Sequence, residues 1–286
     1  HLRKTRGSGA LSGLHECEIT DDGLVIHPRL ESLYSQPSQP DSDVLVHVSS
    51  GMPSLDRLIG GGLSASSVTL VMGPSGVGKT TLGLNFLAQS TVEEPGLHFG
   101  FYETPQRLRL KAKALGMDLE ALEASGALHI MWQPTTEGLL DGLGARVINA
   151  VREKGIKRLH IDSLGGMARV ATGSARLIEF FSALMSQLRA MGVTVFATWE
   201  MRDLFAAEIN APAPELSSIV DNLILMRFVE KDAELKRLLS ILKMRDSRYD
   251  PSLLEVVISD HGIELSKAFR HAAGALSGNA VPAQDA

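Results

Sequence analysis

The chain has 286 residues, 44% of them hydrophobic, with 28 Lys and Arg against 33 Asp and Glu, a net charge of −5 and a pI near 6.0. That balance argues against a protein built mainly to neutralise nucleic-acid phosphates, and the length suits one large α/β domain with residues to spare. The lone Cys17 excludes an internal disulfide, no apolar run approaches the roughly 20 residues that span a bilayer, and His1-Leu2-Arg3-Lys4 leads into no apolar signal core, so a cytoplasmic location is expected.

The first segment is legible by comparison of the chain with itself. Arg3-Lys4-Thr5-Arg6-Gly7-Ser8 matches Leu242-Lys243-Met244-Arg245-Asp246-Ser247, and the register continues without a gap through Glu16 and Glu255, Ile19 and Ile258, Asp21 and Asp260, and Gly23 and Gly262. The offset is 239 throughout (245 − 6), the size of one domain. Residues 1–31 therefore read as the last strands of a preceding copy of the same domain, and the chain as part of a tandem protein. Two hairpins that share only a D-x-G turn are the competing explanation. The polar, proline-bearing residues 32–47 read as a linker.

From residue 48 to 269 strands and helices alternate. An apolar strand at 68–72 is followed by a glycine-rich loop and a helix at 81–87. Next come a strand at 97–101, a helix opened by Thr104-Pro105, a strand at 128–132, a helix over about 137–153 and a strand at 158–162. Residues 175–191 carry Leu177, Ile178, Phe181, Leu184, Met185 and Leu188 at helical spacing, and a strand follows at 193–197. Beyond Pro212 and Pro214 the pattern changes to successive strands near 223–229, 237–243, 254–258 and 263–265. The expected fold is α/β: a mostly parallel central sheet with helices on both faces, ending in an antiparallel meander, with ligands at the carboxyl ends of the strands. The small, polar residues 270–286 are expected to be disordered.

The loop is the strongest chemical signal. Gly73, Pro74, Ser75, Gly76, Val77, Gly78, Lys79 and Thr80 fit G-x-x-x-x-G-K-T at every fixed position, between a strand and a helix. The pattern predicts a nucleoside triphosphate site. Glycines let backbone N–H groups turn inward on phosphate oxygens, the helix N-terminus beginning near Thr81 adds its positive end, Lys79 reaches the β- and γ-phosphates, and the Thr80 hydroxyl holds Mg²⁺. Three carboxylates close neighbouring strands. Asp162 is the candidate Walker-B partner of Thr80 on the metal, with a helix cap as the alternative. Glu103 is a candidate base that orients water, with a solvated helix-start glutamate as the alternative. Glu200 reads as a loop carboxylate in preference to a phosphate sensor.

Beyond the loop, Gly51-Met52-Pro53-Ser54-Leu55-Asp56, Gly60-Gly61-Gly62-Leu63, Phe101-Tyr102-Glu103-Thr104-Pro105, Ile161-Asp162-Ser163, Thr198-Trp199-Glu200 and Lys243-Met244-Arg245-Asp246-Ser247 give the chain a close resemblance to the KaiC family of RecA-like ATPases, over residues 48–269 and again over 1–29. The chain is similar to the second of that family's two tandem domains. The resemblance implies ATP and Mg²⁺ as ligands and a homo-oligomeric ring, a hexamer in the family, with ATP between subunits. It also implies a K-x-R pair, here Lys243 and Arg245, that reaches a neighbour's γ-phosphate. That role suits a guanidinium, which spreads over phosphoryl oxygens, whereas an alternating strand with water-facing charges is the plain alternative.

This sequence departs from the family at one position that matters. Two adjacent glutamates are expected within the third of these motifs, after its strand, and here the first is Tyr102, a poor base near neutrality. The family's autophosphorylation pair falls on Ser217 and Ser218, so a serine/threonine autokinase is a second reading, weakened by Tyr102. A DNA-dependent ATPase would need basic loops at 165–175 and 201–215. These hold only Arg169 in the first, and Arg202 against Asp203, Glu208 and Glu215 in the second, so nucleic acid is not the expected partner. A module that uses ATP only to assemble is the remaining alternative. Protein partners are not legible, and no membrane segment is expected.

Overall fold

The computed structural model describes residues 11, 13–34, 46–134, 138–171, 176–201, 216–231, 234–259, 262–266, 272–273 and 281–282. In chain order the elements are β1 (Glu16–Thr20), β2 (Gly23–His27), α1 (Leu30–Leu33), β3 (His47–Val48), α2 (Pro53–Leu58), β4 (Leu63–Ser64), β5 (Val68–Gly73), α3 (Lys79–Leu87), β6 (Gly96–Gly100), α4 (Pro105–Ala114), α5 (Leu119–Ala124) and β7 (Leu128–Trp132). They continue with α6 (Leu140–Lys154), β8 (Arg158–Asp162), α7 (Leu164–Arg169), α8 (Leu177–Ala190), β9 (Thr194–Glu200), α9 (Leu216–Ile219), β10 (Asn222–Lys231), β11 (Glu234–Met244), β12 (Leu254–Ser259), β13 (Gly262–Ser266), β14 (Ala272–Ala273) and β15 (Val281–Pro282).

The central sheet has nine strands in the order β13-β12-β11-β10-β5-β9-β8-β6-β7. The six strands from β10 to β7 are parallel, and β10 to β13 form the antiparallel meander. β5 is buried at every position and reads as a continuous apolar run because both faces are covered. Alternation splits its side chains between two cores. Leu70 and Met72 pack with Phe180, Phe181 and Val147 from α8 and α6, whereas Val71 packs on the other face with Leu82 and Phe86 of α3 and Phe196 of β9. The strand order sends the chain from β5 across to β6 before it returns through β8 and β9 to lie beside β5. The carboxyl ends of β5, β9, β8 and β6 thus meet at one edge, where the chain reverses its direction of winding.

The described elements bear on two of the sequence readings. The boundary expected at residue 31 falls inside α1, which is docked on the domain body. Leu30 is buried, its N–H donates to the fully buried Asp141 at 3.1 Å, and Arg176 bridges Asp141 (2.8 Å) and Glu31 (2.8 and 3.0 Å). Burial favours protonation of Glu31, but the Arg176 and Arg29 guanidiniums outweigh it and hold the carboxyl down at about 2. Second, of the stretch 165–175, considered only as a loop that a DNA-dependent ATPase would need, the first half belongs to α7, pinned by buried Leu164, Gly166 and Met167. Gly166 stands against the Phe101 ring, where an added Cβ would come within 2.5 Å of ring atoms. Residues 172–175 and 202–215 lie outside the described residues, as do the linker residues 35–45. In the expected disordered tail, Ala272 and Ala273 pair with Pro282 and Val281, and its other residues lie outside the description. Among the described residues no helix is long and apolar enough to cross a membrane.

The β1–β2 hairpin repeats the register of β12–β13. Glu16 pairs with His27 as Glu255 pairs with Ser266, and Thr20 pairs with Gly23 as Ser259 pairs with Gly262, each residue 239 positions before its counterpart. Both turns close on a glycine of positive φ, 111° at Gly23 and 102° at Gly262. Ile19, Leu24 and Ile26 are exposed on the first hairpin, while Val256 and Ile263 are buried on the second.

Candidate nucleotide site

The phosphate loop leaves β5 at Gly73 and enters α3 through Gly78, whose φ of 111° is a left-handed conformation that an L side chain adopts only with strain. Ser75 and Gly76 are exposed at the tip, whereas Val77, Lys79 and Thr81 are buried. Lys79 Nζ donates to the carbonyls of Gly73 (2.8 Å) and Pro74 (2.7 Å), which aims the ammonium across the mouth of its own loop. Burial lowers its pKa, and the charges of Glu200 and Asp162 oppose that effect. Thr81 offers its carbonyl to Asn85 Nδ2 at 2.9 Å inside α3.

Thr80 and Asp162, 82 residues apart, meet as expected, because α3 begins where β8 ends: the Thr80 hydroxyl donates to Asp162 Oδ2 at 2.7 Å. The other oxygen, Oδ1, accepts from the Thr198 hydroxyl on β9 at 2.6 Å. Burial would favour protonation of Asp162, but His160, His98 and the two hydroxyls together lower its pKa; at neutral pH, where both rings are uncharged, the hydroxyl bonds carry this effect. An anionic oxygen pair beside a threonine hydroxyl is the hard donor set that Mg²⁺ takes when it also binds phosphate, so the residues fit that ion. Thr198 stands in the Thr198-Trp199-Glu200 motif without a role attached to it, and its contact with Asp162 exists because β9 lies beside β8.

Beneath the carboxylate lies a polar layer formed by two histidines of neighbouring strands. His98 and His160 face each other across β6 and β8, with their Nδ1 atoms 3.0 Å apart, one ring donating to the other. Burial keeps both neutral, with pKa values pushed down to about 3 for His98 and about 4 for His160. Gly83 of α3 makes room for this layer, since a Cβ there would stand 2.1 Å from His160 Nε2.

Glu103 follows β6, whose last residue Gly100 is in register with Asp162, so it stands at the expected edge. Its carboxylate accepts from Lys111 Nζ of α4. Tyr102 beside it is half exposed, with the Arg169 guanidinium 5.5 Å from the ring centre. Glu200 is better placed than its sequence context suggested. It ends β9 in register with Gly73, points to the same side of the strand as Thr198, and is the carboxylate that most strongly favours the charged form of Lys79.

Lys243 and Arg245 lie elsewhere. β11 runs antiparallel to β10, so it ends at the amino end of the parallel strands: Met244 pairs with Asn222, and Asn222 with Thr69. Arg245 is therefore level with Val68, roughly 16 Å of strand from Gly73. Lys243 Nζ donates to the carbonyls of Ser217 (2.8 Å) and Val220 (2.7 Å) at the end of α9. Arg245 donates to Asp221 Oδ1 at 3.1 Å, and Asp221 Oδ2 accepts from Arg189 (2.8 Å) and from the Val68 N–H (2.9 Å). Ser217 and Ser218 are exposed on the same edge. The expected site residues thus fall into two groups, at opposite ends of one sheet.

A family model described as "ATPase: KaiC" matches residues 48–269. The circadian clock oscillator protein KaiC of Acaryochloris marina is 31% identical over 279 residues, which cover 97% of this chain and 52% of that protein. Its counterpart in Synechococcus elongatus is 30% identical over 280 residues, with the same coverage of 97% and 52%. The chain spans about half the length of these curated relatives. Among solved structures, a KaiC-like protein from the hyperthermophilic archaeon Pyrococcus horikoshii aligns with 29% identity and a TM-score of 0.69, covering 78% of this chain and all of that one. With a RecA-type sheet and a complete phosphate loop at its carboxyl edge, the chain belongs to the KaiC family of ATPases.

Proposed function

We propose that the chain binds and hydrolyses Mg-ATP as a switch ATPase within a homo-oligomeric ring, hexameric as in the family it resembles, with each nucleotide site completed by a neighbouring subunit. The observation that carries this reading is the position of Lys243 and Arg245 at the amino end of the sheet, where neither reaches the phosphate loop of its own chain. In this reading Lys79 and the loop amides bind the β- and γ-phosphates, and Thr80 and Asp162 hold Mg²⁺, which neutralises phosphate charge. Glu103 orients the attacking water, and the neighbour's Lys243 and Arg245 stabilise the charge that develops as the γ-phosphoryl group leaves. The test is the molar mass of the full chain in solution with and without Mg-ATP. A shift towards about six copies is expected, and hydrolysis by a species that stays monomeric throughout would overturn the reading.

A second reading, serine autophosphorylation, is favoured by one observation: Ser217 and Ser218 are exposed on the edge that carries Lys243, which binds the Ser217 carbonyl. With Tyr102 in place of a second carboxylate, the reaction is expected to be slow or absent, because loss of a placed base costs roughly 10²–10⁴-fold. Intact-mass measurement after incubation with Mg-ATP decides it, and phosphate on either serine that disappears in Lys79→Ala would make the protein an autokinase. Residues 1–31 are proposed as the tail of a preceding copy of the domain, on the shared hairpin register, and the protein as cytoplasmic. Neither the acidic net charge nor the cations at 165–171 favour nucleic acid as a partner.

A further inference from the structure

We propose that Lys111 is a positioning residue that holds Glu103 away from the phosphate-loop side of the site, so that each turnover waits for one ion pair to open. This rests on the reading of Glu103 as the base. α4 begins two residues after Glu103, with Thr104 as its N-cap, and carries Arg107, Arg109, Lys111 and Lys113 without one acid. Side chains on a helix lean towards its N-terminus, so Lys111, nearly two turns along α4, reaches back to the strand end from which the helix came. There its ammonium donates to Glu103 Oε1. Arg109 has a different acid, Glu123 of α5, in a two-pronged contact at 2.7 and 2.9 Å, so the pairing of Lys111 with Glu103 is selective within a crowded basic helix.

The direction of the pair can be read from where α4 sits. The helix packs against α5 and against β7, the edge strand beyond β6, whereas β5 and its loop lie on the other side of β6, past β8 and β9. Lys111 therefore draws Glu103 towards α4, on the side of the site away from the phosphate loop. Lys111 and Glu103 are 36% and 31% exposed, so the pair is neither sealed in the core nor lost in bulk water. A contact of that kind is strong enough to set a resting position and weak enough to open in each cycle. It also responds to salt, because screening at this exposure is substantial.

Steady-state ATP hydrolysis by the full chain tests the proposal, with Lys111→Met, Lys111→Gln, Lys111→Arg, Glu103→Gln and the Glu103→Gln/Lys111→Met pair measured at low and high NaCl. Lys111→Met and Lys111→Gln are expected to raise kcat about two- to fivefold, the range that an exposed ion pair is worth, with KM for ATP unchanged. Lys111→Arg, which keeps the charge, should stay closer to the wild type than Lys111→Met. In the wild type kcat should climb with salt, and in Lys111→Met it should not. In the Glu103→Gln background Lys111→Met should add nothing, since Lys111 acts only through that carboxylate. A kcat for Lys111→Met and Lys111→Gln at or below the wild type, in protein whose Glu103→Gln variant has lost hydrolysis, overturns the role of Lys111 and leaves the base intact. Full hydrolysis by Glu103→Gln removes the base reading, and the role of Lys111 falls with it. A wild-type rate that is flat in salt also counts against the pair as a gate.

Discussion

At the carboxyl end of β5, Lys79 is buried and held by two carbonyls of its own loop, while at the amino end of the same sheet Arg245 is half exposed and reaches a single carboxylate, Asp221. A cation that serves the nucleotide of its own chain can be fixed before the ligand arrives, by backbone groups that the fold supplies anyway. One that serves a neighbour has to remain on the surface. It can be steered by its own chain but not enclosed by it. On the proposed reading Asp221 does the steering: it is nearly buried, tied to Val68 and Arg189, and presents its second oxygen to Arg245. Lys243 shows the same compromise, with carbonyl partners at the end of α9 and a pKa lowered by partial burial and by Arg245.

The most severe way to break the contrast is Lys79→Ala, which is expected to abolish measurable Mg-ATP binding by calorimetry, because it removes the ammonium that the Gly73 and Pro74 carbonyls aim across the mouth of the loop. Unchanged affinity would sink the assignment of the loop. Arg245→Ala should leave nucleotide binding by an isolated subunit nearly intact and reduce hydrolysis by up to roughly a thousandfold, the scale of an arginine supplied in trans. Mixing it with Glu103→Gln sharpens the point, since mixed rings contain some sites with both native groups and should regain activity. No recovery in assemblies verified to be mixed would place Arg245 outside a shared site.

Asp221→Asn tests how far the amino end is held by its own chain. It removes the charge that Arg189 and Arg245 share at a nearly buried position, and urea unfolding should show a loss of about 1–3 kcal/mol. Unaltered stability would mean that the network only accompanies the fold. The smallest effect concerns pH at the phosphate end. His98 and His160 have folded pKa values of about 3 and about 4, below the ordinary value of 6.5, so their contribution is fully present above pH 6.5 and is lost as pH falls, because the unfolded chain takes up protons first. Between pH 7 and pH 6 each ring should remove about 0.7 kcal/mol from the unfolding free energy, and His98→Asn should flatten that slope by one ring's share. An unchanged slope would show that the layer under Asp162 is not what titrates.

Much of the carboxyl edge was legible before any fold was known. The strand at 158–162, its terminal Asp162 and the loop from Gly73 to Thr80 follow from local patterns, an apolar run with a charge at its end and glycines before a lysine, and the structure reproduces them to within a residue or two. Glu103 was found at its strand end, but not its partner, because nothing in a run of four alternating cations says which one will turn back eight positions. Glu200 was undervalued for a related reason. A carboxylate after a strand is common, and its worth depends on the strand's neighbours, which here are β5 and β8. The boundary drawn at residue 31 cuts α1 because four residues have no period to read, and only the receiving surface of Asp141, Arg176 and the apolar core shows that Leu30 is buried.

The sequence by itself determined the alternation of strands and helices, the phosphate loop, Thr80 at a helix start and Asp162 at a strand end as separate candidates, and the repeat of the terminal hairpin. Each depends on residues close together in the chain or on a pattern that survives copying. Only the tertiary structure decided that Thr198 holds the second oxygen of Asp162, that His98 and His160 share a buried layer, that Asp221 binds Arg245, and that Lys243 and Arg245 face away from their own loop. The first three of these relations join residues 24 to 62 positions apart, and all four follow from the order and direction of strands in the sheet, which hydrophobic burial over the whole domain selects and no local spacing encodes.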